Sequence, residues 1–258
     1  MFYMCGRHPA TFKLKTGVKK DGTLLAMEMD CTDGTGAYAY SGQSKMNLMT
    51  GFFLSMYKCP NKKYIGRTVY TNEPPRSAMR GAGNPQQNWA VETHMDEIAN
   101  KLDIDPIEFK RKNVLKKGDK FFGQGTDVVC SINTCGTDEL FKIGAKKIGW
   151  KINKNKHKTL VPWIKRGLGV AYGFHTSGCG SEVPSKFIMD VSGATIKMTE
   201  DGKAIILNSV TEMGNGSLTV HSAIVAETLG LSYEDVIVIM GDTNTTPFDT
   251  VTHASRAD

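Results

Sequence analysis

The chain has 258 residues, 40% of them hydrophobic and 22% charged, with a formal net charge of +6. That length buries a sizeable core and that composition excludes a disordered chain. No apolar run approaches the length of a membrane span and residues 1–9 lack the charged start and apolar middle of a signal peptide, so the expected compartment is the cytoplasm, with no membrane partner.

From the N-terminus, Thr11 to Val18 and Thr23 to Asp30 are alternating runs on either side of Lys19-Lys20-Asp21-Gly22, which predicts a β-hairpin with an Asp-Gly turn. In the second run Leu25, Met27 and Met29 form the consistently apolar face, which is expected to meet the core. Gln43 to Tyr57 reads equally as a helix or an irregular apolar segment, and Tyr64 to Tyr70 as a strand entering the Asn72 to Pro75 turn.

The stretch Ser77-Ala-Met-Arg-Gly-Ala-Gly-Asn-Pro-Gln86 is a glycine-hinged passage from strand to helix. Gly81 and Gly83 allow the backbone to bend and to approach a bound group, and the first amides of the following helix point at the loop. Alone, it reads as a plain turn more readily than as a ligand site, because short glycine patterns recur by chance. Met95, Ile98, Ala99 and Leu102 then recur at helical spacing over Pro85 to Leu102. A second helix starts after Asp105, with Pro106 in its first turn and Glu108 at the capping-box position, and stops near Gly118.

The glycine-rich, unperiodic residues 119–136 are the expected linker between a first domain, 1–118, and a second, 137–258. A helix is predicted from Thr137, bearing Leu140, Phe141, Ile143, Ala145 and Ile148, and strands over Leu168 to His175, Ser185 to Val191, Ala194 to Thr199 and Lys203 to Val210. The turn Glu200-Asp201-Gly202 repeats the first Asp-Gly turn, compatible with two related α+β domains. A second glycine junction, Thr211-Glu-Met-Gly-Asn-Gly-Ser217, again joins strand to helix. Ser217 is the expected cap, Gly230 the expected stop, and the loop amides with Asn215 are candidates to hold an anion. Val236 to Met240 is a last short strand before a polar tail through Thr252-His-Ala-Ser-Arg256, after which the chain reads as cut.

The six cysteines, Cys5, Cys31, Cys59, Cys130, Cys135 and Cys179, form no CxxC pair, which argues against a zinc ribbon or an iron–sulfur cluster in this chain. Most are expected to be buried thiols; Cys179, flanked by glycines, either faces a pocket or sits in a tight turn. Lysine-rich stretches at 13–20, 110–120 and 146–165 carry the positive charge. Without zinc-finger spacing or an RNA-binding aromatic motif they read as solvated faces, and no nucleic-acid partner is expected.

Taken in order, these motifs resemble the molybdenum-binding subunit of the xanthine dehydrogenase and aldehyde oxidase family of molybdenum hydroxylases. Gly6-Arg7-His8-Pro9 with its hairpin resembles the run after the family's first pterin loop. Ala78-Met-Arg-Gly-Ala-Gly-Asn-Pro-Gln86 is similar to Ala-Phe-Arg-Gly-Phe-Gly-Gly-Pro-Gln, and Met95-Asp96-Glu97 through Arg111-Lys112-Asn113 continue the likeness. Thr211 to Gly216 resembles Thr-Glu-Met-Gly-Gln-Gly, and Asp242-Thr243, Thr246-Pro247 and Ala254-Ser255-Arg256 resemble the next cofactor loop.

The resemblance implies an α+β fold, with two partial domains contributing to a molybdopterin-binding cleft. It implies a molybdenum–molybdopterin cofactor, in plain or cytosine dinucleotide form, contacted by Met79, Arg80, Gly81, Gly214, Asn215, Gly216, Ala254 and Ser255, with Arg80 beside the metal through its backbone. It implies oxidation of a heterocycle or aldehyde carbon with oxygen from water, electrons leaving through iron–sulfur and FAD subunits. Leu48, Ala82 and Gly180 fall at pocket positions, where Met79 and Ala82 replace the two phenylalanines and Leu48 the arginine of purine enzymes, which suits a wider, less polar pocket; packing substitutions explain Met79 and Ala82 equally well. The family's glutamate base lies in a Gly-Glu-Pro motif beyond the Ala-Ser-Arg region, so no catalytic residue is assigned here. Two readings stay open: a piece of such an enzyme, completed by another chain, and a noncatalytic homologue of the same fold.

Overall fold

A computed structural model describes residues 6–122, 129–153, 161, 163–175, 191–250 and 252. The fold is α+β, and the chain divides into two compact units, Met1–His175 and Thr176–Asp258.

In the first unit, strand β1 (Ala10–Val18) and strand β2 (Leu24–Gly36) form the antiparallel hairpin expected from the Asp-Gly turn, which closes with Gly22 N–H on the Lys19 carbonyl at 2.9 Å. The apolar face differs from expectation at its first residue. Gly17 pairs with Ala26 but Val18 pairs with Leu24, so Leu25 is an extra, bulged residue. The bulge turns Leu25 outward, 39% exposed, and brings Leu24 in beside Met27 and Met29. Helix α1 (Gly42–Met56) settles the segment left open by its sequence, burying Met46, Met49, Phe52, Phe53 and Met56. It carries the chain across the sheet, so that strand β3 (Asn61–Tyr70) pairs parallel to β2, giving the order β1-β2-β3.

Helix α2 (Asn84–Lys101) and helix α3 (Pro106–Asn113) follow. Asp105 caps α3 as expected, accepting from Ile107 N–H at 2.9 Å. The Glu108 carboxylate accepts from Arg111 Nη1 at 2.9 and 3.1 Å. Strands β4 (Lys120–Phe122) and β5 (Val129–Ser131) then pair antiparallel. Helix α4 (Thr137–Lys147) buries Phe141 and exposes Leu140, and the short helix α5 (Trp150–Asn153) buries Trp150, whose indole N–H reaches Asp105 at 2.8 Å.

Residues 168–175 form no strand. Leu168, Val170, Tyr172 and Phe174 alternate onto the core as a strand's residues would. Helix side chains, however, take the backbone bonds a neighbouring strand would supply: Glu92 accepts from Tyr172 N–H at 2.7 Å, Asn88 donates to the Tyr172 carbonyl at 2.9 Å, Asn84 to the Phe174 carbonyl at 2.7 Å, and Lys110 to the Val170 carbonyl at 2.6 Å.

The second unit repeats the opening of the first. Strand β6 (Ala194–Met198) and strand β7 (Ala204–Asn208) form an antiparallel hairpin, helix α6 (Ser217–Leu229) crosses, and strand β8 (Val236–Met240) pairs parallel to β7 in the order β6-β7-β8. Ala204, Ile206 and Val225 make its small core. Residues 185–190 of the strand expected before β6 lie outside the described residues. Among the described cysteines only Cys31 is buried; Cys135 is exposed, and Cys59 and Cys130 lie between. Among the described residues no helix is long and apolar enough to cross a membrane.

Candidate functional site

The strand-to-helix passage at residues 77–86 is a sharply folded turn. Gly81, Ala82 and Gly83 have φ of 91°, 43° and 89°, a left-handed run that glycine tolerates and alanine resists. Ala82 N–H donates to the Met79 carbonyl at 2.7 Å and Asn84 N–H to the Gly81 carbonyl at 2.8 Å. A Cβ on Gly81 would lie 2.7 Å from the Pro85 ring, and one on Gly83 would lie 2.7 Å from Met49 Cγ and Sδ and 3.1 Å from Lys45 Cγ. The turn therefore sits on α1. Met79 and Arg80 are exposed, while Leu48 and Ala82 are half-buried.

The segment before β1 holds the turn from the other side. Arg7 donates through Nη2 to the Arg80 carbonyl at 2.9 Å and through Nη1 to Gln86 Oε1 at 3.2 Å, and Gln86 Nε2 donates to the His8 carbonyl at 3.0 Å. Ser77 N–H reaches the Gly6 carbonyl at 3.2 Å and Ala78 N–H reaches Ser41 Oγ at 3.0 Å.

Next to these contacts lies a buried charge cluster that the sequence reading missed. Asp33, at 0% exposure, forms an ion pair with Lys45 Nζ through one oxygen, and its other oxygen lies 3.3 Å from His8 Nδ1, which also lies 3.0 Å from the Gly34 carbonyl. Burial depresses the pKa of Lys45, opposed by Asp33; burial and then the Lys45 charge depress that of His8. The signal was present: Asp33 has the parity of Met27, Met29 and Cys31 in β2, and Lys45 lies on the stripe of Met49, Phe52 and Met56 in α1. Charged residues in core registers stand out once the registers are known.

In the second unit the loop before α6 carries its own anion. Glu212 accepts from Gly214 N–H at 2.7 Å, Gly216 N–H at 3.1 Å and Leu218 N–H at 3.1 Å, so these amides are not free as the sequence suggested. The amide bonds hold the Glu212 pKa below the ordinary glutamate value. Ser217 is not the cap: Gly216, at φ 91°, holds that place and Ser217 is the first helical residue. Its hydroxyl instead accepts from Asn215 Nδ2 at 2.6 Å, while Asn215 Oδ1 accepts from Met213 N–H at 3.1 Å. Gly230 closes the helix as expected.

Gly214 and Gly216 have positive φ, and no atom of the described residues lies within 4 Å of where a Cβ would stand; glycine there lets a bound group approach the backbone closely. Thr211 N–H donates to Thr252 Oγ1 at 2.8 Å, and Ser209 Oγ bonds Thr246 Oγ1 at 2.7 Å and the Pro247 carbonyl at 2.6 Å. The strand end and glycine loop at 209–211 thus adjoin Thr246, Pro247 and Thr252 within this unit. Of the remaining expected residues, Cys179, Gly180, Ala254 and Ser255 lie outside the described residues. Among the described residues no group of three or more His, Cys, Asp or Glu is arranged to hold a metal ion. Glycine at positive φ in this loop suits a group bound through backbone and polar side chains.

Two molybdopterin cofactor-binding domain families match the chain, one over residues 1–114 and the other over residues 143–258. The chain is 35% identical over 251 residues to the putative xanthine dehydrogenase molybdenum-binding subunit XdhA of Escherichia coli, covering 97% of this chain and 32% of that protein. It is 31% identical to the aldehyde oxidoreductase of Megalodesulfovibrio gigas, covering 95% of this chain and 26% of that protein. Among solved structures, the aldehyde oxidoreductase from Desulfovibrio desulfuricans aligns with a TM-score of 0.80 at 27% identity, over 99% of this chain and 27% of that one. The chain spans about a third or less of the length of these relatives.

Proposed function

This chain belongs to the molybdopterin cofactor-binding proteins of the xanthine dehydrogenase and aldehyde oxidase family, and on that premise we propose that it supplies cofactor-binding loops to a molybdenum hydroxylase. The observation that carries this is a glycine turn with left-handed backbone at a strand-to-helix junction in each unit, 81–83 before α2 and 214–216 before α6. On the first unit the contacts are Met79, Arg80 and Gly81, with Arg80 beside the metal through its backbone. On the second they are Gly214, Asn215 and Gly216, with Ala254 and Ser255. Glu212 fixes the second loop by gathering its amides. Arg7 fixes the first by binding the Arg80 carbonyl.

When bound, the molybdenum–molybdopterin group, in plain or cytosine dinucleotide form, supplies the redox chemistry that oxidises a heterocycle or aldehyde carbon with water-derived oxygen. The chain's residues bind and orient it; none of them is assigned the proton transfer. Leu48, Ala82 and Gly180 belong to the substrate pocket. Iron–sulfur and FAD subunits are the partners, in the cytoplasm. The domains divide at residues 119–136, supported by the matched ranges 1–114 and 143–258. The compact units divide later because 168–174 pack back onto the first core.

Metal and pterin analysis of the chain purified with its native partners tests the proposal. Molybdenum and a fluorescent oxidised pterin in near-equal amounts are expected. Absence of both refutes the cofactor role and leaves a noncatalytic homologue.

A further inference from the structure

The cluster of His8, Asp33 and Lys45 is buried to 2%, 0% and 1% exposure, next to a turn whose backbone is strained. A buried ion pair is a poor way to stabilise a core, since desolvation offsets most of its attraction and apolar residues of similar volume do as well. What it provides is direction: an ammonium and a carboxylate meet at one distance, whereas two apolar side chains slide. The three elements that meet at Asp33 are those that hold the turn. Lys45 belongs to the first turns of α1, and its Cγ stands 3.1 Å from the Gly83 Cβ position. The His8 carbonyl receives Gln86 at 3.0 Å, and its neighbour Arg7 binds the Arg80 carbonyl at 2.9 Å. Asp33 itself lies in the inward row near the end of β2.

We propose that the Lys45–Asp33 ion pair, with His8 against it, is the positioning device for the Met79–Gly83 turn: it pins the start of α1, the end of β2 and the segment before β1 at one carboxylate. These three are positioning residues, acting on the cofactor through the backbone of Arg80 and Gly81. That last clause rests on the proposed cofactor role; the positioning of the turn does not.

Amide hydrogen exchange on the full chain tests the idea. The double variant Asp33→Leu/Lys45→Met replaces the pair by apolar side chains. Exchange at the Ala82 and Asn84 amides is expected to rise about tenfold or more, as for a locally opened segment. The Leu102 and Ile104 amides, bonded to the Ile98 and Ala99 carbonyls at 3.0 and 2.9 Å, should keep their rates. Unchanged exchange at Ala82 and Asn84, or an equal rise at all four, overturns the proposal. If the double variant does not fold, Asp33→Asn, of the same shape and uncharged, is read by the same four amides. Pterin content is measured in parallel: a wild-type chain without pterin removes the cofactor role while the exchange result still decides the positioning.

Discussion

Gly83 and Gly214 share a backbone conformation but not a neighbourhood, and substituting each separates strain from crowding. A Cβ on Gly83 meets Met49 at 2.7 Å, whereas one on Gly214 meets no atom of the described residues within 4 Å, and both φ values are near 90°. Gly83→Ala is expected to cost about 2–4 kcal/mol, combining left-handed strain with overpacking. Gly214→Ala should cost about 1–2 kcal/mol from strain alone. Urea denaturation of the two variants measures the difference; equal losses would mean that a Cβ at Gly214 is crowded as well. At this scale the sequence revealed the glycines, because their type restricts backbone. It did not reveal what Glu212 does, because a glutamate before two glycines has many partners on paper and three specific amides only in the fold. Asp33, Lys45 and His8 were hidden for the same reason: their meaning depends on registers that only packing sets.

Among the elements, 168–175 shows how alternation can be correct and the strand absent. The side-chain period of 2 was legible, but a ladder needs a neighbour, and here α2 and α3 supply the bonds. Lys110 is central. Its buried ammonium reaches Glu92 at 2.9 Å, Asp96 at 2.7 Å and the Val170 carbonyl at 2.6 Å, and Glu92 in turn binds Tyr57 Oη at 2.5 Å. Lys110→Met is expected to destabilise the first unit by about 3–5 kcal/mol, since it leaves Glu92 buried without its cation. Adding Glu92→Gln should recover part of that loss. A denaturation cycle over the four proteins checks it; strictly additive costs would show that the two side chains do not act together. The hairpins, α2 and α3 were legible because turn chemistry, capping and period agreed there. Helix α1 stayed ambiguous because its apolar run fits either structure until a sheet is present to receive it.

For the whole molecule, the repeated order of hairpin, crossing helix and parallel strand was visible in the sequence only as two Asp-Gly turns, since a hairpin turn does not say which strand comes next. The charge state of the whole chain carries a further expectation. His8 and His94 both have pKa values lowered chiefly by burial. The unfolded chain therefore takes up protons at a higher pH than the folded one, so this stability is complete above the ordinary histidine range and is lost as pH falls through it. The urea midpoint should be lower at about pH 5.5 than at about pH 7.5. His94→Gln, which removes one of the two groups, should flatten the difference; an unchanged slope would assign it elsewhere.

The hairpin of β1 and β2 holds one residue more than its ladder pairs. Without Leu25, the pairs Gly17–Ala26 and Val18–Leu24 would simply be consecutive, and Met27, Met29 and Asp33 would keep their sides. The first unit can thus gain or lose a residue there at constant parity, roughly 25 Å along the strand from Asp33. Variation in chain length has a place to accumulate at the far end of the sheet, insulated from the turn that the near end supports.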